Sequence, residues 1–120
     1  MKIRKGVIDL VMESSKDSLP NEFAALLKAK KDIIYEIALL PGTISGDRSA
    51  IMQLWARPMD LGYVGTIHSH PSGIIHPSDE DRNLYSKFGN IHIIVGYPFN
   101  SYSWRAFNNE GIEIKLEMIP

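Results

Sequence analysis

Two histidines lie two positions apart at the end of a predicted strand, in the segment His68-Ser69-His70-Pro71. Side chains of a strand alternate between its two faces, so both imidazoles project from one face at a separation that a single cation can bridge. The chain contains no cysteine, so any metal must be held by histidine and carboxylate. By itself, the His-x-His pair is only a weak indication of a metal site.

A carboxylate is available at the start of the next predicted helix. Asp81 lies eleven positions after His70, and the loop Pro71–Pro77 is long enough to fold the helix start back over the strand end. Two neutral imidazoles and one carboxylate suit zinc with a fourth position open for water, which is the arrangement of catalytic zinc sites. Asp81 could instead serve only as a capping-box carboxylate that accepts from the amide of Ser78.

Other metal-site families that use His-x-His need features that this chain lacks. A β/α-barrel amidohydrolase needs about 250 residues, and this chain has 120. A metallo-β-lactamase-like site needs an Asp-His pair, and a cupin needs a Glu, where Pro71-Ser72-Gly73-Ile74-Ile75 stands. Zinc nucleoside deaminases need cysteine ligands. These families are therefore excluded.

The elements that position the site follow from apolar periodicity and turn residues. Two helices are predicted, over Gly6–Leu19 before Pro20 and over Asp79–Phe88 before Gly89. Seven strands are predicted: Glu22–Ala29 and Ile33–Leu40 as a hairpin, Ala50–Trp55, Tyr63–His68, Ile91–Gly96, Ser101–Phe107 and Glu113–Met118. The basic clusters Lys2–Lys5 and Lys28–Lys31 are expected in solvated turns. The sequence thus predicts one α/β domain over residues 1–120, with a mixed, largely antiparallel β-sheet flanked by helices.

The segment from His68 to Asp81 resembles the motif of the JAMM (MPN-plus) zinc metalloproteases, Glu…His-Ser/Thr-His-x7-Ser-x2-Asp. His68-Ser69-His70, the seven residues Pro71–Pro77, Ser78 and Asp81 occupy its positions, with a glutamate upstream. The resemblance covers nearly the whole chain. It implies a JAMM/MPN domain, cytidine-deaminase-like in fold, with one zinc ion per chain. His68, His70 and Asp81 would bind the zinc, with water as the fourth ligand.

The resemblance also implies two catalytic residues. Glu22, which the pattern places at the opening of the first predicted strand, is similar in position to the family's general base; it would take a proton from the attacking water and pass it to the departing amine. Ser78 would donate to the oxyanion of the tetrahedral intermediate, in addition to capping the helix. Ser69 is expected to face away from the histidines and buttress them, and His92 is expected to be a hydrogen-bonded structural residue.

Family members with the complete motif cleave the amide or isopeptide bond after the Gly-Gly tail of ubiquitin or ubiquitin-like modifiers. The resemblance therefore implies a ubiquitin-like or sulfur-carrier tail, or its conjugates, as partner, held by strand addition at a sheet edge. With 120 residues, the chain is most similar to minimal, stand-alone prokaryotic members. A zinc peptidase for another small peptide and a non-catalytic MPN-type scaffold remain alternatives, and homodimerisation is left open.

Charge and hydropathy exclude further classes of partner. The 13 basic and 14 acidic residues give a net charge of −1 and are scattered along the chain, so we expect no nucleic-acid partner. No segment approaches the ~20 apolar residues of a membrane span, and the N-terminus has no apolar signal-peptide region. We therefore expect a cytoplasmic protein without a membrane partner.

Overall fold

The structure, a computed structural model, describes residues 1–38, 62–86 and 89–120. Those ranges contain eight strands and two helices. In chain order these are β1 (Lys2–Arg4), α1 (Lys5–Ser18), β2 (Ala24–Lys30), β3 (Ile33–Ala38), β4 (Tyr63–His70), α2 (Asp79–Tyr85), β5 (Ile91–Gly96), β6 (Trp104–Phe107), β7 (Glu113–Ile114) and β8 (Glu117–Ile119). The predicted strand Ala50–Trp55 lies outside the described residues. Neither described helix is both long and apolar enough to cross a membrane.

The strands form one mixed sheet in the order β7-β6-β5-β4-β2-β3-β1-β8. The antiparallel pairs β2–β3, β2–β4, β5–β6 and β6–β7 outnumber the parallel pairs β1–β3, β1–β8 and β4–β5. The predicted mixed, largely antiparallel sheet with flanking helices is thus confirmed. Only two residues separate β7 from β8, which bounds their separation at about 11 Å. Because these strands lie at opposite ends of the strand order, the sheet must curl.

Helix α1 forms because its apolar residues recur on one face. Val7, Ile8, Val11 and Met12 are buried, and the helix ends just before Leu19 and Pro20. This face packs on one side of the curled sheet and forms the main apolar core with Ile3, Phe23, Ala25, Leu27, Ile34, Ile67, Ile91, Ile93, Val95, Phe99 and Ala106. The predicted bounds Gly6–Leu19 differ from the observed helix by one residue at each end.

The prediction for the N-terminal basic cluster is wrong. Lys2–Arg4 form a strand between β3 and β8, and Ile3 is fully buried. Lys28 and Lys30 likewise belong to β2, and the hairpin turn is confined to Lys31 and Asp32, both with positive φ. Strand β1 has a single buried apolar side chain and forms by pairing with strands that are distant in sequence. The local pattern of charges does not reveal this pairing.

Other predicted elements also differ from the structure. Strand β6 begins at Trp104 rather than Ser101, and β4 extends to His70 rather than ending at His68. The predicted strand Glu113–Met118 is two strands, since β7 pairs with β6 and β8 pairs with β1 at the other end of the sheet. The second helix ends at Tyr85, with Ser86 as its C-cap, rather than at Phe88. Residues 87–88 are not described.

Candidate metal centre

Strand β4 places the two histidines on the face of the sheet that α2 covers. His68 is 5% exposed, and its Nε2 lies 2.9 Å from the Nε2 of His70. The residues between and before them, Ser69 and Ile67, face α1 and are fully buried. The strand alternation thus directs both imidazoles toward a single point, as the sequence predicts.

The third donor comes from the first turn of α2. Ser78 and Asp81 form a capping box: the Ser78 Oγ accepts from the Asp81 amide at 3.0 Å, and the Asp81 Oδ2 accepts from the Ser78 amide at 2.9 Å. The same carboxylate lies 3.4 Å from His68 Nε2 and 3.3 Å from His70 Nε2. Asp81 therefore caps helix α2 and faces the two histidines at the same time, because both of its carboxylate oxygens lie near the imidazoles.

The donor set fits a divalent metal. One ligand atom from each of His68, His70 and Asp81 lies within 4.8 Å of the other two. The His70 Nδ1 is 2.8 Å from the carbonyl oxygen of Ile74, which can only accept, so Nδ1 carries the proton and Nε2 presents its lone pair to the centre. Two imidazole nitrogens and one carboxylate oxygen are the donors of an open zinc site.

The electrostatics of the centre favour a negatively charged Asp81. Burial by itself raises the pKa of Asp81, but hydrogen bonding to His68 and His70 outweighs burial and holds the pKa far below its usual range. Burial lowers the pKa of His70, but Asp81, the Ile74 carbonyl and Glu22 together leave it raised above 6.5. A buried carboxylate that keeps its negative charge is a suitable ligand for a cation.

Glu22 lies beside this centre, although not in the element predicted for it. Strand β2 begins at Ala24 rather than Glu22, because the Phe23 amide donates to the Ser69 side chain, at 2.7 Å from Oγ, instead of to a backbone carbonyl. The Ser69 amide in turn donates to the Phe23 carbonyl at 2.9 Å. Ala24 is opposite His68, and Glu22 lies two residues before Ala24, near His70. The half-buried Glu22 is close enough for its charge to raise the pKa of His70.

Ser69 faces away from the histidines, as predicted, and is fully buried. Its hydroxyl accepts a hydrogen bond from Phe23, the residue after Glu22. His92 is the predicted structural histidine, fully buried and hydrogen-bonded to Thr66. Sequence reasoning missed the Ile74 carbonyl. The signal for it is Gly73, whose φ of 83° turns the loop after β4 back toward His70.

Comparison with known proteins identifies the family. The family described as prokaryotic homologs of the JAB domain matches residues 4–110. A JAB1/MPN domain protein from Archaeoglobus fulgidus is 38% identical, with a TM-score of 0.83 and 100% of both chains covered. A structure described as JAMM, a metalloprotease-like zinc site in the proteasome and signalosome, is 37% identical, with a TM-score of 0.81 over 100% of this chain and 98% of that one.

A curated relative gives the same result. The probable metalloprotease of Haloferax volcanii is 33% identical over an alignment of 127 positions, gaps included, that covers 98% of this chain and 78% of the relative. Sequence, fold and the convergence of two histidines and an aspartate agree, and the chain belongs to the prokaryotic JAB-domain branch of the JAMM/MPN family.

Proposed function

We propose that this chain is a zinc-dependent metalloprotease that hydrolyses the peptide or isopeptide bond after the C-terminal tail of a ubiquitin-like or sulfur-carrier modifier. The observation that carries the proposal is the convergence of three donor atoms from β4 and α2 within 4.8 Å. His68, His70 and Asp81 would hold one zinc ion. Zinc bound there supplies a Lewis acid and lowers the pKa of its water toward ~7.

Glu22 is proposed as the general base. The proposal is supported by the hydrogen bonds that tie the adjacent Phe23 to Ser69 and by the effect of the Glu22 charge on the pKa of His70. It would accept a proton from the water that attacks the scissile carbonyl and return that proton to the amine as the carbon–nitrogen bond breaks. Its half-buried position leaves it accessible to water and substrate.

Ser78 is proposed to stabilise the oxyanion. Its Oγ accepts from the Asp81 amide, which leaves the hydroxyl hydrogen to donate elsewhere. The residue is exposed at the mouth of the helix, so this hydrogen can point to a bound substrate. A donor aimed at the developing negative charge accelerates acyl transfer by up to about 10²–10³-fold in other hydrolases.

The substrate proposal is supported by the family and by the curated relative, a probable metalloprotease. Strand β4 is paired on both sides, with β2 and β5. Strand addition would therefore have to use an element other than β4. A non-catalytic scaffold is disfavoured because all three predicted metal donors are present and converge.

The test is incubation with linear and isopeptide-linked fusions that end in Gly-Gly, with zinc and with a chelator. We expect cleavage directly after the tail, abolished by the chelator and restored by added zinc. Asp81→Asn is the inactive variant, and Asp79→Asn, an exposed carboxylate in the same helical turn, is the matched control. Zinc binding without cleavage of these fusions, but with cleavage of unrelated short peptides, would replace the modifier with another peptide substrate.

A further inference from the structure

His92 of β5 contacts both elements that carry the proposed metal ligands. Its Nδ1 lies 2.7 Å from the Oγ1 of Thr66 on β4, and its Nε2 lies 3.2 Å from the Gly89 carbonyl oxygen. Its ring stacks on Tyr85 of α2, with ring centroids 4.0 Å apart and planes inclined by 11°. Both His92 and Tyr85 are fully buried.

Each residue that His92 contacts lies on the same face of its strand or helix as a proposed metal ligand. Thr66 precedes His68 by two residues, so both side chains lie on the same face of β4. Tyr85 follows Asp81 by four residues, so both lie on the same face of α2. The strand and helix surfaces that supply the metal donors therefore meet a second time, at His92.

Hydrogen bonding fixes the orientation of the His92 ring. The Gly89 carbonyl can only accept, so Nε2 donates to it and Nδ1 accepts from the Thr66 hydroxyl. Burial lowers the pKa of His92 to about 4, so the ring is neutral at pH 7 and keeps Nδ1 as an acceptor. Bonds at both ring nitrogens hold the plane on which Tyr85 stacks, whereas an apolar ring of similar size would supply only the stacking.

We infer that His92 is a positioning residue for the metal centre, because its contacts with Thr66 and Tyr85 fix where α2, and with it Asp81, lies relative to the two histidine ligands. This inference rests on the proposed zinc site. Removal of partners that orient metal ligands typically weakens metal binding by about 10–100-fold. We expect an effect of this size from removal of the Thr66–His92 hydrogen bond.

The experiment measures the zinc dissociation constant by competition with a chromophoric chelator, and separately the unfolding free energy of the metal-free chain. We expect Thr66→Val and His92→Phe to weaken zinc binding by about tenfold or more. Thr66→Ser keeps the hydroxyl group and should therefore bind zinc with wild-type affinity. Val11→Ala, a buried change under α1 on the other face of the sheet, should lower stability and leave zinc affinity unchanged.

A second readout reports ligand geometry directly. With Co²⁺ as the only metal, the d–d absorption bands of Thr66→Val should shift in position or intensity, and those of Val11→Ala should match the wild type. Should His92→Phe fail to fold, Thr66→Val and Thr66→Ser decide the question. Wild-type zinc affinity in Thr66→Val, or equal weakening in Val11→Ala, overturns the positioning role and leaves the proposed function standing. A wild-type chain that binds no zinc overturns both.

Discussion

The two faces of the sheet have different interiors, although one strand contributes to both. Beneath α1 the buried side chains are almost entirely apolar. Beneath α2 the residues that the structure describes form a small apolar cluster of Leu84, Tyr85, Ile94 and Phe107. Next to it lie the buried polar residues Thr66, His68, Asp81 and His92. The fold therefore separates the side chains that stabilise it from those proposed to carry chemistry.

Strand β4 shows how this separation is achieved. Ile67 and Ser69 face α1, while His68 and His70 face α2. Because the alternate residues are fixed in the main core, the histidines are held on a rigid strand rather than on a loop. Burying polar groups is unfavourable unless they are paired. On the α2 face Thr66 pairs with His92, and Asp81 pairs with the Ser78 amide and faces the two histidines. The comparison predicts that changes on the two faces affect different properties.

The largest expected effect is that of Asp81→Asn. The amide can still accept from the Ser78 backbone, but it is neutral and a poor ligand, so we expect zinc affinity to fall by more than about 100-fold. Cleavage should fall to the level of the chelated wild type. Zinc titration and the fusion assay measure both, with Asp79→Asn unchanged. Retention of zinc by Asp81→Asn would remove Asp81 from the ligand set.

Glu22→Gln should separate catalysis from metal binding on the same face. The variant keeps the shape of the side chain but cannot accept the proton, so the turnover rate should fall by about 10²–10⁴-fold. Zinc affinity should remain near that of the wild type. Glu36→Gln, at an exposed position on β3, is the control. A near-normal rate in Glu22→Gln would show that another group is the base.

Ile8→Ala tests the α1 face. Ile8 is 1% exposed in the main core, and its truncation should lower the unfolding free energy by about 2–5 kcal/mol. Urea denaturation measures this loss, and Leu10→Ala, an exposed position on the same helix, should change it little. Zinc affinity of the folded chain should stay the same. A parallel loss of zinc affinity would mean that the two faces are coupled.

Ser78→Ala should affect both kinds of property modestly. Loss of the N-cap should cost about 1 kcal/mol of unfolding free energy, and loss of the donor should slow cleavage by about 100-fold. Ser78→Thr keeps the hydroxyl and should recover most of both. If Ser78→Ala loses stability or zinc in proportion to its activity, its role is capping alone.

Acidification of the metal-free chain should change its stability alone, through His92. Its pKa is about 4 in the folded chain against ~6.5 unfolded, so the unfolded chain binds the extra proton and stability is lost as pH falls between these values. The raised pKa of His70 acts in the opposite direction, so the comparison is with His92→Phe. From pH 7 to pH 5 the metal-free wild type should lose about 2 kcal/mol more than the variant. Equal losses would contradict the buried, neutral His92.

Sequence patterns predicted the elements that are locally encoded. Helix α1 and the β2–β3 hairpin follow from apolar period and turn residues, and the start of α2 follows from the Ser78 capping box. Strands β1, β7 and β8 could not be predicted correctly, because segments of two or three residues have no measurable period. The partners of β1 and β8 are distant in sequence, whereas β7 pairs with the neighbouring strand β6.

The candidate site shows the same division. His68, His70 and Asp81 were predictable because their residue types and spacing constrain what they can bind. The Ile74 carbonyl that orients His70, and the contact of His92 with Tyr85, depend on how the loop and helix approach the sheet. No local pattern specifies that approach.

The most direct test of the account is a crystal structure of the chain grown with zinc, with diffraction data collected on both sides of the zinc absorption edge. We expect one anomalous peak per chain, about 2.0–2.2 Å from His68 Nε2, His70 Nε2 and a carboxylate oxygen of Asp81. Zinc bound elsewhere, or no peak between these three side chains, would contradict it.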